Sequence, residues 1–277
     1  MVDLRGKTII ITGSSRGIGR AMALKFASHG ANLVIAAKSA QPHPKLGGSI
    51  HTVAGEVRAA GGDALAFQVD VRDEEQVRAM AEAAAQKFGG IDALVNNAGA
   101  ISLTSVENTP VKRYDLMQAI NSRAVFLCSR AVLPYLKQAP APHILSMSPP
   151  LNFKSAGLAQ HAPYTLSKYG MTLLSLGMAE EFRRFGIAVN CLWPKTIIAT
   201  AAIEFAVGDR DTLKVSRKPE IVADAAYLIL TSPSHTLTGQ TLIDEDLLRQ
   251  NGVTDFARYA YDPDFAGKLH PDLFLDR

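Results

Sequence analysis

Lys7-Thr-Ile-Ile-Ile-Thr12, then Gly13-Ser14-Ser15-Arg16-Gly17-Ile18-Gly19, then Arg20-Ala-Met-Ala-Leu-Lys-Phe-Ala-Ser-His29 is the passage on which the fold turns. The first run is apolar and β-branched with no polar alternation, as in a strand covered on both faces of a parallel sheet. The third run repeats its apolar residues at helical spacing. The glycines between them mark a tight turn. Without side chains there, backbone N–H groups can approach an anion such as a pyrophosphate, and the helix dipole favours negative charge at that end. The spacing is Gly-x3-Gly-x-Gly, not the Gly-x-Gly-x2-Gly commoner in dinucleotide-binding folds.

The same alternation continues outward. Strands are expected at about 7–12, 32–37, 64–69, 91–96, 142–147, 187–193 and 240–243. Helices are expected at about 17–29, 49–60, 73–88, 112–137, 162–185 and 218–231. Strands alternating with helices predict an α/β fold of Rossmann type, a doubly wound parallel sheet of about seven strands. Residues 1–245 are read as that domain and 246–277 as a C-terminal extension. Ser39 to Gly48 and Ile197 to Arg217 read as irregular segments, the first longer than most strand-to-helix connections. The extension is polar but dotted with Tyr259, Tyr261, Phe265 and Phe274, which favour packing over fraying.

Composition narrows the function classes. With 47% hydrophobic and 20% charged residues the chain has ample material for a core and is not disordered. A net charge of +3, with no basic cluster interleaved with aromatics, argues against nucleic acid as a partner. No apolar run is long enough for a membrane span, and no metal-ligand pattern appears. Cys128 and Cys191 fall in helix and strand patterns and read as small core residues. No signal peptide precedes the first strand, and Leu275-Asp-Arg277 is not a peroxisomal address, so a cytoplasmic protein is expected.

Tyr164-Thr-Leu-Ser-Lys168 carries the chemistry. Residues four apart share a helix face, so a phenol and an ammonium converge. A neighbouring cation favours the phenolate and is expected to bring its pKa down toward working range. Together with the glycine turn, Asp92-Ala-Leu-Val-Asn96-Asn97-Ala98-Gly99 and Asn121, this pentapeptide resembles the short-chain dehydrogenase/reductase family over residues ~5 to ~245. Ala36-Ala-Lys-Ser-Ala-Gln-Pro-His-Pro-Lys45, Ser148-Pro-Pro150 and Trp193-Pro-Lys-Thr196 look most like its hydroxysteroid dehydrogenase-like protein 2 group. Larger members of that group carry a sterol-carrier domain after the reductase; this chain is expected to hold the reductase alone.

The resemblance implies an oxidoreductase that passes hydride between a nicotinamide cofactor and an alcohol/carbonyl pair. Tyr164 would be the acid/base, Lys168 its partner and the holder of the nicotinamide ribose, and Asn121 the support of a water leading to solvent. It places Gly13, Ser14, Ser15, Arg16, Gly17, Ile18 and Gly19 on the cofactor, with Asp70 at the adenine, Asn97, Ala98 and Gly99 beside the adenosine, and Val71, Pro194 and Ile197 as further contacts. The second strand ends in Ala37 and Lys38, where an acidic residue would bind the ribose 2′-hydroxyl of NAD. Lys38 and Arg16, with His43 and Lys45 as further candidates, point instead to the 2′-phosphate of NADP(H).

Two residues depart from the family. Pro149 stands where relatives end the fifth strand with a serine that holds the substrate oxygen, and Ser148 precedes it. A one-residue shift points a strand side chain the other way, unless Pro149-Pro150 bends the strand end back. Lys195 stands where relatives have glycine, and either binds an anion or points to solvent. Ile101, Leu103, Leu151, Phe153, Leu158, Ile197, Ile198, Ile203, Phe205 and Val207 are candidate pocket walls, which suit a lipid-, steroid- or terpenoid-like substrate. The competing reading is a dinucleotide-bound scaffold or sensor with vestigial catalysis. The family usually pairs the helices at about 112–137 and 162–185 across a homodimer or homotetramer.

Overall fold

The computed structural model describes residues 2–41, 47–201, 203–204 and 211–275. Seven strands form one parallel sheet: β1 Thr8–Thr12, β2 Asn32–Ala37, β3 Asp63–Gln68, β4 Ala93–Asn96, β5 His143–Met147, β6 Ala188–Trp193 and β7 Thr241–Ile243, in the order β3-β2-β1-β4-β5-β6-β7. Period-two alternation explains why β1 needs no polar face. Ile9 and Ile11 enter the core on one side and Ile10 the core on the other, all essentially without solvent contact. Helices α1 Gly17–Ala27, α2 Ile50–Ala59 and α8 Glu220–Thr231 cover the first side through Met22, Phe26, Val53 and Ile229. Helices α3 Glu74–Phe88, α5 Ala124–Leu136 and α7 Ala162–Glu181 cover the second through Met80, Cys128, Val132 and Met171. No helix among the described residues is long and apolar enough to cross a membrane.

β1 pairs with β2 on one side and β4 on the other, so the chain reverses its winding there and a cleft opens at the carboxyl ends of those strands. Thr12 latches the two strand ends together. Its hydroxyl accepts from the backbone N–H groups of Asn97 and Ala98, both at 3.0 Å.

The expected helix over 112–137 is interrupted. α4 spans Val111–Gln118, a π turn spans Ala119–Arg123, and α5 follows. Such turns lodge one extra residue and concentrate at functional sites. The stretch before Tyr164 contains a short helix, α6 Ser155–Gln160. A further helix, α9 Asp244–Gln250, starts directly at the end of β7 and runs across residue 245. Its first turn, Asp244-Glu245-Asp246, has the charge a helix N-terminus favours, a signal the strand-like residues before it obscured.

Candidate active site

The glycine turn shows why it has no side chains. Gly13 sits at φ +69°, and a Cβ there would lie 2.8 Å from the Ala98 Cα. A Cβ on Gly19 would lie 2.7 Å from Asn97 Nδ2. Asn97 Nδ2 instead donates to the carbonyls of Thr12 (2.9 Å) and Gly13 (3.2 Å), so the end of β4 seats directly on the turn. Arg16 precedes α1 without capping it through its side chain, leaving the N–H groups of the first helical turn for another acceptor. Ser14 lies outside the cavity. Its hydroxyl donates to the Ile11 carbonyl and accepts from Ala36 N–H, bracing the turn against β2.

A cavity of ≈ 480 Å³ runs from this turn along the strand ends. At one end lie Arg16, Lys38, Ser39 and Asp70. The Arg16 guanidinium donates to the Gly47 and Gly48 carbonyls and to Ser39 Oγ, all neutral acceptors. Lys38 Nζ pairs with Asp70 at 3.1 Å, and Arg72 grips the same carboxylate. The Arg72 hydrogen bonds, aided by Lys38, hold the Asp70 carboxyl well below the usual carboxylate range. His43 and Lys45 lie outside the described residues.

At the other end lie Tyr164, Lys168, Met147 and Trp193. α7 brings the first two to one wall, as the four-residue spacing requires. Their electrostatics differ from expectation. Burial pushes the phenol well above its ordinary range, and the negative charge of Asp272 adds to the shift. Burial also lowers the Lys168 ammonium to about 8, against the opposing pull of Asp272. Lys168 Nζ donates to the Met147 carbonyl at 2.8 Å and lies 5.0 Å from the Trp193 ring. Desolvation outweighs the cation in setting the phenol here.

Asn121 sits in the π turn, buried and off the cavity wall. Its amide donates to the Ala100 carbonyl (3.0 Å) and to Ser167 Oγ (2.8 Å), and its oxygen accepts from Ala100 N–H (2.8 Å). Ser167 Oγ in turn donates to the Tyr164 carbonyl. Asn121 therefore braces the loop after β4 against the helix that carries Tyr164.

Ser148 is not brought to the cavity. Its buried hydroxyl lies beside the Cys191 thiol and has no well-formed hydrogen bond. Thr172 Oγ1 holds the Pro149 carbonyl at 2.7 Å, which pins the strand end and does not turn Ser148 back. Lys195 points away from the cavity, its Nζ bound to Asp246 (2.8 Å) and Glu245 (3.4 Å).

The remaining expected cofactor contacts, Ser15, Gly17, Ile18, Val71, Gly99, Pro194 and Ile197, line the cavity with those already described. Of the expected apolar walls, Ile101, Leu103, Ile197, Ile198 and Ile203 line it as well. Leu151, Phe153 and Leu158 do not, and Phe153 is 72% exposed. Phe205 and Val207 fall outside the described residues.

The C-terminal extension supplies a wall that pattern reading missed. Ile197 N–H donates to the His270 carbonyl (3.0 Å), Asp272 N–H to the Lys195 carbonyl (3.0 Å) and Trp193 Nε1 to the Leu273 carbonyl (3.1 Å). The strap so formed puts Asp272 and Leu273 on the cavity. Phe274 follows at φ 72°. Its ring packs against Tyr164, Tyr169 and Trp193, with centroids 5.9, 5.6 and 5.6 Å away. The one signal in the sequence was the aromatic residue itself.

Known proteins resemble this chain in sequence and in fold. A hydroxysteroid dehydrogenase-like protein 2 from Danio rerio is 55% identical over 99% of this chain, which spans 65% of that protein's length. The crystal structure of a Xanthomonas campestris protein, 52% identical, superposes with a TM-score of 0.95 over 100% of both chains. A metagenomic short-chain oxidoreductase crystallised with NADP is 28% identical, with a TM-score of 0.71 over 87% of this chain and 97% of its own. The description "short chain dehydrogenase" matches residues 7–207. With its glycine turn, seven-stranded sheet and Tyr-x3-Lys helix in the family's order, the chain belongs to the short-chain dehydrogenase/reductase family.

Proposed function

We propose that this oxidoreductase uses NADP(H) and an apolar alcohol/carbonyl pair, with Tyr164 as acid/base. The observation that carries the reading is one continuous cavity with Arg16 and Lys38 at one end and Tyr164 and Lys168 at the other. The side-chain-free cradle at Gly13 and Gly19 fits a dinucleotide pyrophosphate. The bound cofactor supplies or accepts the hydride. The chain's own work is to orient it, to exclude water with Ile101, Leu103 and Ile198, and to exchange a proton at the Tyr164 hydroxyl. Lys168, buried beside it, holds charge near that hydroxyl and offers donors to a ribose. The hydroxysteroid dehydrogenase-like name of the relative, with the apolar walls, supports a steroid-, fatty-acyl- or terpenoid-like substrate.

Fluorescence titration with NADPH and NADH tests the cofactor. Wild type should prefer NADPH, and Lys38→Glu should weaken NADPH by about 10-fold or more while changing NADH little, the scale of one charge-assisted bond. Equal loss for both dinucleotides removes the phosphate assignment.

The buried position of Ser148 favours a second reading, a dinucleotide-bound scaffold with vestigial catalysis. That reading requires tight NADPH binding without NADPH oxidation across a series of aldehydes and ketones.

We further propose that α5 and α7 mediate a homo-oligomer, since Phe126, Leu166 and Leu173 on them are 47%, 55% and 58% exposed. Analytical ultracentrifugation should show dimer or tetramer; monomer alone refutes it.

A further inference from the structure

The cavity's reacting end holds one charged group that the reaction as read above does not use. Asp272 lines the same cavity as Tyr164 and Lys168, and both feel its charge. It does not belong to the sheet-and-helix unit that carries them but arrives on the strap. The strap fixes it firmly. Thr196 and Pro271 form an antiparallel bridge, Asp272 N–H is bound by the Lys195 carbonyl, and Leu273 N–H donates to Asp272 Oδ1 at 2.6 Å. On one side Trp193 holds the Leu273 carbonyl, and Phe274 closes over Tyr164, Tyr169 and Trp193. Asp244, at the start of α9, is the other carboxyl near enough to act on it. Burial pushes the Asp272 carboxyl up to about 7.

Without Asp272 the reacting end would present a buried lysine and no compensating anion among the residues described on its wall. Such a site attracts anions, because an uncompensated charge in a water-poor cavity acts at short range with little screening. With Asp272 the two charges offset, and a substrate carboxylate or phosphate beside the reacting carbon meets a like charge instead. We propose that Asp272 is a specificity-determining residue that sets the reacting end against substrates with an anionic group next to the reacting carbon and in favour of neutral ones. The proposal rests on the placement of the reaction at Tyr164 argued above, and it narrows the substrate class to neutral alcohols, aldehydes and ketones.

Ligand binding tests it without requiring turnover. Trp193 is the chain's one tryptophan and lies on this cavity, so its emission reports both the strap and a bound ligand. Octanoate and octanamide, matched in shape and differing in charge, are titrated into the whole chain saturated with NADP⁺ at pH 7.5, between the Asp272 and Lys168 values, where both groups are mostly charged. Wild type should bind the amide about 10-fold or more tightly than the acid, and Asp272→Asn should gain roughly 10-fold or more in octanoate affinity with octanamide little changed. Asp246→Asn removes a nearby charge outside the cavity and should leave both affinities as they were, which separates a local effect from a change in overall charge. Octanoate binding to Asp272→Asn within about twofold of wild type, or absent from both proteins, overturns the assignment. Failure of the hydride-transfer reading is seen separately, as NADPH binding with no oxidation by any neutral ketone or aldehyde.

Discussion

Tyr164→Phe is expected to cut turnover by about 100-fold or more while leaving NADPH affinity nearly unchanged, the scale on which a positioned acid or base contributes. The ring sits 5.9 Å from Phe274, and its backbone carbonyl is held by Ser167. The variant keeps the ring and those contacts and loses the hydroxyl alone. Steady-state rates on a substrate found by screening, with a parallel NADPH titration, give the answer. Near-normal turnover would move the proton exchange to another group. The phenol is strongly desolvated, so removing it uncovers no new buried charge, and a rate loss would report chemistry and not a damaged fold.

Arg217→Met is expected to lower unfolding stability by about 3 kcal/mol, the low end of what breaking a buried ion pair costs. Arg217 and Glu245 are 7% and 8% exposed and form a close salt bridge. Glu245 keeps Arg249 at 2.9 Å and Lys195 at 3.4 Å, which limits the cost. The backbone of Arg217 binds Ile197 and Ala199 and bridges Ala260, joining the segment after β6 to the extension. Urea unfolding should show a lower midpoint with unchanged slope. Arg183→Ala, which breaks an exposed pair with Glu180, should move the midpoint hardly at all. Equal shifts for the two variants would mean that burial adds nothing to the Arg217 pair.

What could be read from sequence was local and periodic. The run of isoleucines, the glycine turn and the Tyr-x3-Lys spacing each encode their geometry within one element, and these features placed nearly every residue expected around the dinucleotide on the cavity wall. What escaped depends on distant chain. The π turn adds one residue to a helix whose apolar pattern reads through it, and the two bonds that give Asn121 its place come from Ala100 and Ser167. The fate of Ser148 is decided by Thr172 gripping the next residue's carbonyl. The strap has no period at all. It is held by backbone bonds to Lys195 and Ile197 and by one aromatic ring, a pairing that composition cannot announce.

Val2 and Phe274 sit at opposite ends of the sheet. Val2 N–H docks on the Thr231 carbonyl, at the amino ends of the strands and remote from the cavity. Phe274 packs on Tyr164 and Trp193, which line the cavity at the other end. A fluorophore or surface tether attached on the strap therefore loads the segment that carries Asp272, whereas the same attachment at Val2 loads the far side of the fold. For anyone immobilising or labelling this protein, Val2 is the inert handle and the strap a lever.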